Sequence, residues 1–131
     1  MPSHNEINGI PSHGNHWLLT ELLRKEWGWK GLVSSDYGDT AGLQYYNLVA
    51  NVEDAACLAL HAGVDNDLGA ESYTTLVNAT KNNKVSLESL DRAVYNSLYA
   101  KFAVGLFDDP YANPGIAMFC IVQWVRFGGI S

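Results

Sequence analysis

A carboxylate that closes a buried strand is well placed to do chemistry, because in a βα barrel the residues at the carboxyl ends of the strands carry it. Asp36 is such a residue. It ends the apolar run Gly31-Leu32-Val33-Ser34-Ser35 and precedes the turn-rich stretch Tyr37-Gly38-Asp39-Thr40. Acidic groups recur at Asp65-Asn66-Asp67, after Val64. Two other readings of Asp36 stand beside the active-site one. It could cap a turn or helix, or be the phospho-acceptor of a receiver-like domain, although the early acidic pair that holds magnesium in such domains is missing here.

The remaining polar residues offer less. His13 and His16 would need two further ligands for a metal site, and no spacing supplies them. Asp65-Asn66-Asp67 begins like a calcium loop, but Leu76 stands where a bidentate Glu is required. No metal and no cofactor are therefore expected, and these acids read as polar residues at a barrel end. His13, His16 and His61 read as structural. Asn5, Glu6 and Asn8 are expected to fix a loop by side-chain to backbone hydrogen bonds, with Gly9 allowing the turn. Cys57 and Cys120 are far apart and read as buried thiols.

The elements that must position Asp36 follow from periodicity. Asn15 caps a predicted helix from His16 to Trp27, with Gly28 beyond its end. The strand 31–35 comes next. A second helix from Val52 to His61 is closed by Gly63 and leads into a second strand, Val64 to Leu68. Helix, glycine, strand and acidic end thus recur after about 30 residues, the size of a βα unit in a parallel sheet. A third helix is expected from Ser72 to Asn82. Ser86 caps a longer one from Leu87 to about Val104, with Leu90, Val94, Leu98 and Phe102 as its apolar stripe, and Gly105 ends it. Met1 to His4 is a possible strand remnant. Three strands are too few for a closed parallel sheet, and an open set exposes ladder edges.

The 131 residues suffice for one domain, and a hydrophobic content of 47% is that of a globular chain. Against 14 Asp and Glu stand 8 Lys and Arg, a net charge of −6 with no basic cluster, which argues against nucleic acid and anionic membrane as partners. The apolar stretch Ile116 to Val125 is too short to span a bilayer. Met1-Pro2-Ser3-His4 lacks the features of an export signal. A periplasmic or secreted destination for an intact protein is compatible with this, and localisation is undecided at this level.

Several segments carry a family resemblance: Met1-Pro2-Ser3-His4-Asn5-Glu6-Ile7-Asn8-Gly9-Ile10-Pro11, Trp17-Leu18-Leu19-Thr20, Arg24-Lys25-Glu26-Trp27-Gly28-Trp29-Lys30-Gly31, Ser35-Asp36-Tyr37, Ala62-Gly63-Val64-Asp65-Asn66-Asp67-Leu68 and Gly105-Leu106-Phe107-Asp108-Asp109-Pro110-Tyr111. Together they resemble the end of the catalytic barrel of glycoside hydrolase family 3. The resemblance implies an α/β fold, a partial (β/α)8 TIM-type barrel made of its last three βα units plus a following helix, over residues 1–113. It also implies a retaining β-glucosidase or β-xylosidase, with β-glucosidase preferred, acting on a β-linked oligosaccharide or glycoside. Asp36 takes the place of the nucleophile that forms a covalent glycosyl-enzyme, with a second carboxyl group roughly 5 Å away to protonate the leaving oxygen.

Met1 and His4 fall on the family's Met-x-Ser-Tyr-Asn motif, whose Met and Tyr lie against the sugar and the nucleophile. His4 departs from the commoner Tyr and puts an imidazole where a phenol is usual. Tyr37 stands where a Trp is frequent and is expected to border the sugar. The general acid/base and much of the sugar site belong to parts of the intact protein outside this segment, the rest of the barrel and a sandwich domain. An inactive truncated product, or a sugar-binding remnant without catalysis, is the alternative. Residues 114–131 depart from the family and are expected to be frameshifted or disordered sequence.

Overall fold

The computed structural model describes residues 1–69 and 71–114. The expectation for 114–131 lies outside the described residues from 115 onward, as does Cys120. The chain divides into two units, Met1–Ala100 and Lys101–Ser131.

Met1 to His4 is not a strand. Pairing begins instead with a hairpin of β1 (Glu6–Ile7) and β2 (Ile10–Pro11), antiparallel with Ile7 opposite Ile10. Its two-residue loop is Asn8-Gly9, both at positive φ (55° and 77°), the conformation that Asn-Gly favours between paired strands. A single 3-10 turn, Ser12–Gly14, then brings His13 into the interior.

The helix predicted over 16–27 forms over Trp17–Glu26 with wide, π-type winding. Its end shows the longer step, Trp27 donating to the Leu22 carbonyl at 2.9 Å. The Asn15 side chain does cap it, accepting from the Leu18 amide at 3.1 Å. Leu19 is buried, and Leu18 and Leu23 pack half-buried against the same core.

The two predicted strands lie side by side and parallel, but pair at one bridge only, Ser34 with Asn66. Three backbone bonds hold them: Asp65 N–H to the Val33 carbonyl and Ser35 N–H to the Asn66 carbonyl, both 2.8 Å, and a longer one from Asn66 N–H to Val33. Helix α1 (Asp39–Gly42) is a single turn continued by the 3-10 turn Leu43–Tyr46.

Helix α2 (Val52–Ala62) is the packing spine. Asn51 caps it by accepting from the Asp54 amide at 2.9 Å, and Gly63 ends it at φ 120°. Small side chains let it approach closely on two sides. Ala55, Ala59 and Ala62 pack with Leu19, Val33, Leu43 and Val64, while Ala56 and Leu60 pack with Leu76, Ala79 and Ala93. The helix expected from Ser72 opens with a 3-10 turn, Tyr73–Thr75, and becomes α3 (Leu76–Lys81).

Helix α4 (Leu87–Ala103) has the predicted bounds to within a residue, but not the predicted buried face. It buries Ala93 and Asn96, whereas Val94 and Leu98 are exposed. Leu90, Val94 and Leu98 line an open groove of about 420 Å³ with Leu60, Tyr73 and Leu76. The small Ala93 permits close contact with α2, and Asn96 is drawn inward by a 3.0 Å bond to Asp65. In the second unit Gly105 has φ 74°, and the Phe102 and Phe107 rings stack at 4.2 Å. Among the described residues no helix is long and apolar enough to cross a membrane.

Candidate active site

Two buried acids at the second predicted strand hold the frame. The Asp65 side chain is fully buried, accepts from the Val33 amide at 2.9 Å and is ion-paired with Arg24. Arg24 also donates to the Gly31 carbonyl at 3.1 Å, so one salt bridge clamps both ends of the 31–33 segment. Asp67 accepts from the Ser72 and Tyr73 amides at 2.9 and 3.1 Å. Tyr73 donates its hydroxyl to the Val64 carbonyl at 2.8 Å. Burial, then the Asp67 and Asp65 charges, push that phenol far above its ordinary range, so it stays a donor. The reading of these acids as polar barrel-end residues thus becomes specific: they are hydrogen-bond hubs.

Asp36 comes next in the chain. The Ser35 hydroxyl accepts the Leu68 amide at 2.8 Å, and Gly38 N–H reaches the Leu68 carbonyl at 3.2 Å, which fixes the loop on either side. The Asp36 side chain is 37% exposed. One of its oxygens accepts the Tyr37 amide at 2.7 Å, and the other lies 2.9 Å from His4 Nε2.

His4 also places Nδ1 2.8 Å from Asp39 Oδ2. On the far side of Asp39 is His13, nearly fully buried, with Nδ1 3.4 Å from the same oxygen. Its Nε2 accepts the backbone N–H of Asp36 at 3.2 Å. Burial drives the His13 pKa below the ordinary 6.5, His4 and the N-terminal amine add to this, and Asp39 and Asp36 oppose it.

Ligand atoms of His4, Asp36 and Asp39 lie within 4.8 Å of one another. The His4 imidazole stands between the two carboxylates.

Tyr37 is 75% exposed, with its ring over Gly69, where an added Cβ would come within 3.2 Å of it. With His4, His13, Asp39, Tyr45 and Tyr46 it lines a cleft of about 440 Å³. The Tyr46 hydroxyl donates to the His4 carbonyl at 3.1 Å and so holds that corner. Met1 lies elsewhere, exposed, in a separate cleft with Ser3, Ile7, Leu18, Trp29 and Val33. Asp36, His4 and Tyr37 are thus gathered, while Met1 is not among them. Sequence reasoning missed Asp39 and His13. Asp39 read as one more turn residue, and the one available signal was a second carboxylate three positions after the first.

Helices packed around parallel-paired segments, with a carboxylate at their carboxyl end, define an α/β protein with a strand-end acidic site. Residues 1–98 match the glycosyl hydrolase family 3 N terminal domain, and the chain belongs to that family. It is 40% identical over 116 residues to a periplasmic beta-glucosidase of Salmonella typhimurium, covering 88% of this chain and 15% of the relative. It is 39% identical over 117 residues to a beta-xylosidase of Formosa agariphila, covering 82% and 16%. A β-glucosidase structure from Erythrobacter marinus superposes with a TM-score of 0.82 at 35% identity, covering 88% of this chain and 16% of that one. The chain spans about one sixth of the length of these relatives.

Proposed function

We propose that this chain supplies the nucleophile segment of a retaining β-glycosidase, β-glucosidase in preference to β-xylosidase, with Asp36 as the nucleophile. The segment belongs to the closing βα units of a (β/α)8 barrel, two of whose parallel-paired segments are among the described residues, followed by α4. The observation that carries the reading is the seat of Asp36: at the end of a parallel-paired segment, with one carboxylate oxygen accepting the Tyr37 amide and the other 2.9 Å from His4 Nε2. A carboxylate oxygen attacks the anomeric carbon while the aglycone oxygen leaves with a proton from a general acid, and water then cleaves the glycosyl ester. Asp39 is close to Asp36, but it is engaged by His4 and His13 and only 17% exposed. It cannot face the opposite side of a sugar ring, so the acid belongs to another part of the intact enzyme.

Tyr37, in this reading, offers a flat ring to the sugar, and His4 touches the nucleophile directly. Met1 contacts sugar only if the assembled barrel turns it from its own cleft toward Asp36. Sugar binding without catalysis is the competing reading, favoured by the exposed Tyr37 ring. A 2-fluoro glycoside with a good leaving group decides between them in the assembled enzyme. A glycosyl ester mapped to Asp36 supports the proposal, whereas turnover with the label on another carboxylate, or a folded enzyme that takes no label, refutes it.

A further inference from the structure

We propose that His13 is a positioning residue for Asp36: its buried imidazole accepts the nucleophile's own amide hydrogen and so fixes the backbone of that residue. The description as a positioning residue rests on Asp36 being the nucleophile.

The argument is one of proton placement. A backbone N–H can only donate, so the ring nitrogen that meets Asp36 N at 3.2 Å has to present a lone pair. In a neutral imidazole the proton then sits on Nδ1, and Nδ1 is the nitrogen that faces Asp39 Oδ2 at 3.4 Å. Asp39 lies beside the ring as a charge without a hydrogen bond to it, and the ring orients the backbone of the reacting residue. A second proton on His13 would set two N–H groups against each other at Nε2 and release Asp36.

The surroundings oppose that second proton. His13 is 3% exposed. The charged groups that bear on it are Asp39 from α1, Asp36, His4 and the N-terminal amine. On α2, which packs against the same turn, the neighbour of Gly14 is the apolar Leu58. The benefit is confined to Asp36: a nucleophile whose Oδ1 is already tied to the next amide gains a fixed Cα as well.

The test uses the whole chain labelled with nitrogen-15 and reads the Asp36 amide, its exchange protection and shift, as pH is lowered, with the Leu60 amide as control for global unfolding. The His13 ring shifts report its protonation. In the native chain, protection of Asp36 should fall by about fivefold in step with the His13 ring, while Leu60 stays protected. H13Q, whose side-chain oxygen can accept the same hydrogen but cannot take up a proton, should keep that protection and lose its pH dependence. H13L should lack it at every pH. An Asp36 amide that ignores the His13 titration, or an H13Q chain that keeps the native pH dependence, overturns the proposal. If H13L fails to fold, the native and H13Q titrations still decide. Because the readout is an amide and not hydrolysis, failure of the glycosidase reading appears separately, as a missing label on Asp36.

Discussion

His4 meets Asp36 through Nε2 at 2.9 Å while its other ring nitrogen lies 2.8 Å from Asp39, so that one imidazole is shared by two carboxylates. Only the doubly protonated ring can donate to both; a neutral ring serves one at a time. A phenol at this position would carry one donor and no charge near neutrality. In the assembled enzyme, His4→Tyr should therefore slow the labelling of Asp36 severalfold, because a phenol can serve only one of the two carboxylates at a time. Stability should change by less than about 1 kcal/mol, because His4 is 70% exposed and its ion pairs are screened. Labelling rates of the two proteins check this, and equal rates refute it.

Asp65→Ala should be among the most damaging single changes. The substitution leaves Arg24, only 14% exposed, without its carboxylate, and strips the Val33 amide and Asn96 of their acceptor. Removing one partner of a buried pair costs about 3–5 kcal/mol. Chemical denaturation should show that loss or a failure to fold. A cost below about 1 kcal/mol would mean that Asp65 is not the hub described here.

Acid should destabilise the fold through His13. Its folded pKa lies below the ordinary 6.5, mainly because of burial. As pH falls below 6.5 the unfolded chain binds a proton that folded His13 refuses, so stability declines through the interval down to the folded value and then levels off for this group. H13Q should remove this component. Denaturation midpoints of the two chains between about pH 7 and 5 should converge or diverge accordingly, and parallel curves would contradict it.

Two glycines separate backbone strain from steric clash. At Gly9, φ is 77° and an added Cβ meets nothing within 4 Å, so Gly9→Ala should cost about 1 kcal/mol from conformation alone. At Gly63, φ is 120° and a Cβ would lie 2.9 Å from Thr20 Oγ1, the hydroxyl that donates to the Ala62 carbonyl. Gly63→Ala should therefore cost more, up to about 3 kcal/mol. Thermal melts of both variants test the ranking, and equal losses would contradict it.

Much was legible in the sequence because it is local. Asn15 and Ser86 cap their helices and Gly63 closes α2 at a positive φ, all properties of single residues. The acidic strand end at Asp36 and the exposed Tyr37 beside it follow from a short apolar run that stops at a turn. The Asn8-Gly9 hairpin was equally local, and its signal, a two-residue loop between Ile7 and Ile10, was present but read only as a loop.

Other features depend on partners far along the chain. The stripe on α4 has helical period, yet which side is buried depends on what lies beneath it. Asp65 draws Asn96 inward, and Ala93 permits close approach to α2, so the larger apolar residues turn toward a groove. The same holds at the site. Nothing in the order of residues says that His4 would reach Asp36 and Asp39, or that His13 would be buried under Asp36 with a lone pair facing its amide. By itself the sequence determined the helices, their caps and the acidic strand end, because propensity and capping act over a few residues. The tertiary structure alone decided which side chains share the carboxylates, because burial and charge pairing act between segments that only packing brings together.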